Sequence, residues 1–222
     1  MPVNRFFAIA LMLSVVPAVS AQAQVRSEPP LVAEGDQLVL EAMDQRMVLP
    51  MPDWLSEAQR RDGDVRTHLE AVYVADETQA LLEIYPKGES QALWSTLYGA
   101  RITRQTNVSL VDYRAAVMSA YARNCKPELT GFFQLGPDEG ESLAPLGFVC
   151  GSYLDTLSGY QGLGEVMVVS FRKSDKGIAI VYQEWRGKSF DPAQPASWPV
   201  ATQTVEARAN QLNSAAQLSA LD

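Results

Sequence analysis

Two runs in the C-terminal half, GEVMVVSFRK (164–173) and GIAIVYQEWRG (177–187), constrain the fold more than any other feature of the chain. Each is rich in β-branched and aromatic residues, and Ser174-Asp175-Lys176 joins them, so a β-hairpin is predicted. Counting by twos, Glu165, Met167, Val169 and Phe171 share one face of the first strand, and Val166, Val168 and Ser170 the other. Ile178, Ile180 and Tyr182 oppose Ala179 and Val181 in the same way on the second. A hairpin that is apolar on both faces belongs in the middle of a sheet, with cover on each side. From Gln183 onward the second strand turns polar, which predicts that it leaves the core there. Glu184 and Arg186 are same-face neighbours, able to pair with each other or with a cross-strand partner such as Arg172. A partly exposed pair of this kind contributes up to about 1 kcal/mol. Trp185 then caps the core from the opposite side. The same residues have an alternative use as a contact surface, because tyrosine, tryptophan and arginine dominate binding energy at interfaces. Tyr182, Glu184, Trp185 and Arg186, extended by Trp198, are therefore the candidate binding residues.

Around this hairpin the pattern predicts an α+β fold, with helices packed on the faces of a mainly antiparallel sheet of seven or eight strands. QLVLEAMDQRMVL (37–49) reads as an opening hairpin turning at Asp44-Gln45. Asp53 is placed to cap the short helix WLSEAQRR. HLEAVYVAD and ALLEIYP read as a strand pair. GESQALWSTLYG (88–99) shows Leu93, Trp94, Leu97 and Tyr98 at helical spacing, with Ser90 as its cap. SLVDYRAAVMSAYARNC begins with Ser109 and Asp112 in a capping-box pattern, and sets Tyr113, Val117 and Tyr121 on one stripe. After the irregular, proline-rich DPAQPASWP, an alanine-rich helix is predicted from about Thr202 to Leu221. No internal repeat divides the chain, so residues 37–222 are expected to form one domain behind an extended leader, 24–36.

The order of elements carries one resemblance. MVLPMPDW, followed by strands and then ALLEIYPKGESQALW, resembles the layout of PsbP/Mog1/DcrB-like proteins. That resemblance implies a compact α/β/α sandwich of the kind that serves as an accessory or assembly factor. It transfers no catalytic motif.

The first 23 residues, MPVNRFFAIALMLSVVPAVSAQA, place one cation before an apolar run and end on small residues, the order of an export signal. The run is about 14 residues long, whereas a membrane span needs roughly 20. Export without stable membrane insertion follows as the expectation, to a secreted and bacterial-periplasmic location. There Cys125 and Cys150, the chain's two cysteines, meet an oxidising environment and are expected to form a disulfide. Closing a loop of that length stabilises the folded state by about 3 kcal/mol in the chain-entropy account.

The formal net charge is −8, and removing Arg5 with the signal takes it one unit lower. An acidic globule repels phosphate backbones, so nucleic acid is not an expected partner. Nor does any motif supply chemistry. His68 is the single histidine, placed in an expected strand, and no G-x-S-x-G elbow exists. GYQGLGE (159–165) precedes a strand instead of a helix, which removes the amide cradle of a phosphate loop. DGD (62–64) and the acids Asp138, Glu139 and Glu141 are fragments of a calcium pattern that needs six to eight ordered oxygens. A glycosidase carboxylate pair can lie far apart in sequence and leaves no local signature. No catalytic set, metal or cofactor is assigned. The leading expectation is a non-enzymatic protein-binding, accessory or assembly factor of the cell envelope, with an envelope protein as partner. A small-molecule or glycan-binding module comes second and a hydrolase third. Oligomeric state has no sequence signal.

Overall fold

The computed structural model describes residues 24–26, 29–62, 64–140 and 142–221; the expected signal, 1–23, lies outside the described residues. Among these residues twelve strands form two antiparallel sheets. The larger sheet runs in spatial order β1 (Gln24–Arg26), β5 (Leu69–Ala75), β6 (Gln79–Pro86), β7 (Thr96–Thr103), β11 (Gly177–Lys188), β10 (Leu163–Ser174), β9 (Leu146–Cys150) and β8 (Thr130–Gln134). The smaller runs β12 (Gln217–Ala220), β4 (Gln45–Pro50), β3 (Gln37–Ala42) and β2 (Leu31–Glu34). Three helices accompany them: α1 (Glu57–Arg60), α2 (Leu110–Ala122) and α3 (Thr202–Ala215).

The apolar hairpin is β10 and β11, paired from Ser174 opposite Gly177 to Leu163 opposite Lys188. It lies inside the large sheet, between β7 and β9. Its two faces feed two separate cores. Val166, Val168, Ala179, Val181 and Trp185 pack with Val205, Ala209 and Leu212 of α3, and with Leu38, Leu40, Met47 and Leu49 of the small sheet. Met167, Val169, Phe171, Ile178, Ile180 and Tyr182 pack with Tyr113, Val117 and Met118 of α2 and with Phe148 of β9. At about 1.5–3 kcal/mol for each fully buried large side chain, this double burial is what makes the hairpin the centre of the domain. The molecule is thus sheet-rich with few helices. The sandwich implied by the resemblance differs on one side, where the second sheet shares the covering layer with α3.

Several local expectations change. The first hairpin turns at Met43-Asp44, whose φ values of 58° and 57° define the left-handed pair of a type I′ turn. Ser56, not Asp53, caps α1, through a capping box with Gln59. Residues 88–99 form no helix: a tight turn at Ser90–Leu93 leads into β7, which is held on both edges by β6 and β11. Its helical spacing came from Leu93 and Trp94 at the turn and from Leu97 and Tyr98 on opposite faces of β7, where pairing with two neighbours overrides propensity. The C-terminal helix stops at Ala215, and Gln217–Ala220 pairs with β4. Within the leader, β1 pairs with β5 and β2 with β3, because sheet edges offer the chain unpaired backbone groups. Arg172 does not meet Glu184; it bonds carbonyls at the end of α3. His68 ends a 3-10 turn (Val65–His68) and bonds Asp62 at 2.7 Å.

The largest correction concerns β11, which does not leave the core at Gln183. Gln183 is fully buried, and burial continues through Arg186. Its polar groups find separate partners: Gln183 Nε2 donates to Thr96 Oγ1 of β7 at 2.6 Å, Glu184 accepts from Tyr121 of α2, and Arg186 donates to the Trp94 carbonyl of the 87–95 loop.

Candidate functional site

Strand alternation aims one set of side chains from four adjacent strands at the same side of the large sheet. Leu81, Glu83 and Tyr85 of β6, Leu97 and Arg101 of β7, Tyr182 and Glu184 of β11, and Glu165 of β10 line a cavity of 380 Å³. That size lies within the range of small-molecule pockets, roughly 300–1,000 Å³. The register explains the space. Gly99 lies opposite both Glu83 and Tyr182, and a β-carbon there would stand 2.4 Å from Tyr182 Cζ and 2.9 Å from the Leu82 carbonyl oxygen. Only glycine lets the Tyr182 ring lie across β7.

Two further walls come from outside the sheet. The end of α2 contributes Tyr121 and the following Asn124, and the loop after β9 contributes Tyr153, Leu157 and Tyr160. The Cys125–Cys150 disulfide fastens these two walls together, with a Cα–Cα distance of 5.7 Å. Leu154 N–H donates to the Asn124 carbonyl at 2.9 Å and Lys126 N–H to Ser152 at 2.9 Å. Lys126 also pairs with Asp155 at 3.1 Å. The disulfide expected from sequence therefore sits at the junction of the site's walls. The last wall, Gln91 and Trp94, belongs to the 87–95 loop, which Glu89 holds by accepting from Ser95 N–H at 2.7 Å.

Three carboxylates and three tyrosines are matched inside. Tyr85 Oη donates to Glu83 Oε2 at 2.8 Å, and Gln91 Nε2 donates to the same oxygen at 2.6 Å. Tyr121 Oη donates to Glu184 Oε1 at 3.0 Å, and Tyr153 Oη donates to Glu165 Oε2. Glu165 and Glu184 are diagonal neighbours across the hairpin, since Glu165 lies opposite Arg186 and Glu184 opposite Met167. Burial raises the Glu165 carboxyl to about 7, against the lowering effects of the Tyr153 hydroxyl and Arg186. Burial, reinforced by the charge of Glu165, drives Glu184 well above the carboxylate range. Burial and the adjacent carboxylates push the Tyr153 and Tyr121 hydroxyls upward too, so both remain donors.

Arg186 completes the rim differently from the ion pair expected of it. Its guanidinium lies 4.0 Å from the centre of the Trp94 ring and 5.2 Å from that of Tyr160, and its Nε donates to the Trp94 carbonyl at 3.1 Å. Among the described residues no ion pair within 4.0 Å joins it to Glu165 or Glu184.

Of the five candidate binding residues, the structure brings together Tyr182, Glu184 and Arg186. Trp185 points into the opposite core, and Trp198 stacks on Phe133 at 6.0 Å while donating Nε1 to the Pro192 carbonyl. Sequence reading passed over Glu83, Tyr85, Trp94, Tyr121, Tyr153, Tyr160 and Glu165. Glu165 carried the clearest signal, an acid on the same face as Met167 and Val169. The acidic turn near Asp138 is a clamp: its carboxylate takes both Arg114 nitrogens, at 2.9 and 2.8 Å, and the Ala144 N–H at 2.9 Å. Among the described residues no three histidine, cysteine or acidic side chains converge as metal ligands. No family model matches the chain, and no curated protein or solved structure is similar to it.

Proposed function

We propose that this protein is an extracytoplasmic binding module that takes a small ligand into the cavity over β6, β7, β11 and β10. The observation that carries this reading is the concentration of polar groups and aromatic rings in one half-open cavity. Buried carboxylates, tyrosine hydroxyls and ring faces cost stability unless a fold has a use for them. Outside this cavity the exposed large apolar side chains, Val32, Leu93, Val111 and Phe132, come from four separate elements. That distribution favours a small ligand over the broad apolar patch that a protein partner would use. The disulfide and the lack, among the described residues, of any helix long and apolar enough to cross a membrane are compatible with export. An accessory or assembly role in the envelope is the second reading, one that the element layout suggests.

Hydrolysis is less well supported by the same geometry. A glycosidase pair needs one carboxylate held ionised beside one held protonated. Here burial raises both Glu165 and Glu184, and no cation bonds either one.

Untargeted mass spectrometry of small molecules released on denaturing the protein, purified from its native source, tests the proposal. A compound should accompany the wild type and be lost with Leu157→Trp, which adds bulk at a partly exposed cavity wall on the margin of the α2-side core, in a variant whose melting midpoint matches the wild type. Identical extracts from the two, together with specific retention of an envelope protein, would favour the assembly role instead.

A further inference from the structure

Donors and acceptors inside the cavity do not balance. The hydroxyls of Tyr85, Tyr121 and Tyr153 all donate to carboxylates, as does Gln91. What these bonds leave over is acceptor capacity. The second oxygens of Glu165 and Glu184 make no hydrogen bond among the described residues, although the two side chains are only 3% and 4% exposed. The Tyr182 hydroxyl, on a residue 4% exposed, lines the same space and also makes none. None of these atoms is among the fully buried unpartnered polar atoms of the described residues, so they open onto the cavity, where carboxylate oxygens are available to a donor from a ligand.

Charge points the same way. Glu83, Glu165 and Glu184 face the cavity; burial, together with the charges of Glu165 and Glu83, holds Glu184 protonated, and a cation among these groups would relieve that repulsion and draw the carboxyls into their ionised forms. The cations nearby offset them only in part, Arg186 lowering both Glu165 and Glu184 without bonding either. Arg186 presents its guanidinium to the rings of Trp94 and Tyr160, and Arg101 bonds neither Glu165 nor Glu184. A divalent metal ion would need three or more converging ligands, which the described residues do not supply. An extended cation is different, because it can meet separated carboxylates and lay its carbon frame on ring faces. Arg186 shows that these aromatic walls accept a guanidinium at 4.0 Å.

We infer that the cavity is a receptor for an organic cation, whose ammonium or guanidinium group is taken by Glu165 and Glu184 and whose carbon frame lies against the surrounding tyrosine rings. This rests on the reading of the cavity as a small-ligand site and adds the chemical class of the ligand.

The test uses isosteric pairs that differ in charge: 1,5-diaminopentane against 1,5-pentanediol, and benzylamine against benzyl alcohol. Binding to the full mature chain is followed by calorimetry and by the shift in melting midpoint. The amine of each pair should bind at least about tenfold more tightly than its neutral isostere, a difference of about 1.4 kcal/mol. Glu184→Gln keeps the shape and removes the carboxyl that a bound cation would ionise, so it should abolish that preference. Because a neutral amide suits a buried site, the variant should fold; Glu83→Gln, at a partly exposed position, is the second variant and should weaken amine binding by a smaller factor. Equal binding of both isosteres, a preference for the alcohols, or no binding of either amine at millimolar concentration overturns the inference. Those results leave the small-ligand reading standing if the native extract contains a neutral or anionic compound lost with Leu157→Trp. Both readings fall together only if that extract contains none.

Discussion

At the residue scale, the unusual feature is a pair of carboxyl groups held where their charges are disfavoured. Glu165 and Glu184 both have raised affinities for protons in the folded state, Glu165 reaching about 7 from an ordinary 4.5. A group with a raised folded pKa contributes stability that is fully present below its unfolded pKa. That contribution is lost as pH rises through the folded value, because the unfolded chain releases its protons first. The melting midpoint should therefore fall between about pH 5 and about pH 8, and Glu165→Gln should flatten this slope. The exposed, hydrogen-bonded acids act in another window. Asp138 is lowered by Arg114 and the Ala144 N–H, so its contribution disappears only on acidification through its own folded value. A flat wild-type profile across neutral pH, or a slope unchanged by Glu165→Gln, would show that these two carboxyls do not carry the dependence.

Among the elements, α3 is notable for how it ends. Its C-terminal turn has no glycine, yet the chain reverses there into β12. Arg172, reaching from β10, supplies the missing cap. Its Nε donates to the Ala216 carbonyl at 2.8 Å, one Nη to Leu212 at 3.1 Å and to the Asn213 carbonyl, and the other Nη to Phe171 at 2.8 Å. A cation at the negative end of a helix is favourable on electrostatic grounds as well. Arg172→Met should retain the aliphatic packing and lose about 1.5–3 kcal/mol of stability by denaturant titration. Amide exchange should accelerate first in the last turn of α3 and in β12. The same contact explains why an alanine-rich helix pattern running to about Leu221 stops at Ala215: the guanidinium occupies carbonyls that a longer helix would have used.

At the scale of the whole molecule, the large sheet separates two cores, and the disulfide belongs to only one of them, the side that carries the cavity. Replacing both cysteines by serine should lower stability by about 3 kcal/mol. It should also increase proteolytic access to residues 151–163, whose Tyr153 and Tyr160 form a cavity wall. If proteolysis is unchanged while stability drops, the bridge acts on the unfolded chain alone and does not hold the wall. What could be read without coordinates were the properties that short-range pattern decides. These include the central hairpin with its two apolar faces, the capped α2, the alternation along β11, and the pairing of the two cysteines. Period and composition fix such features because neighbours in sequence are neighbours on one strand or helix face. Only tertiary structure decided the rest. Residues 93–98 became loop and strand because β6 and β11 pair with both edges of β7, and Glu184 and Arg186 became buried because two distant loops close over their strand. The cavity itself assembles Glu83, Tyr121, Tyr153, Glu165 and Glu184 from three strands, a helix and a loop. Contacts of that range depend on register and chain reversal, and no local pattern encodes them.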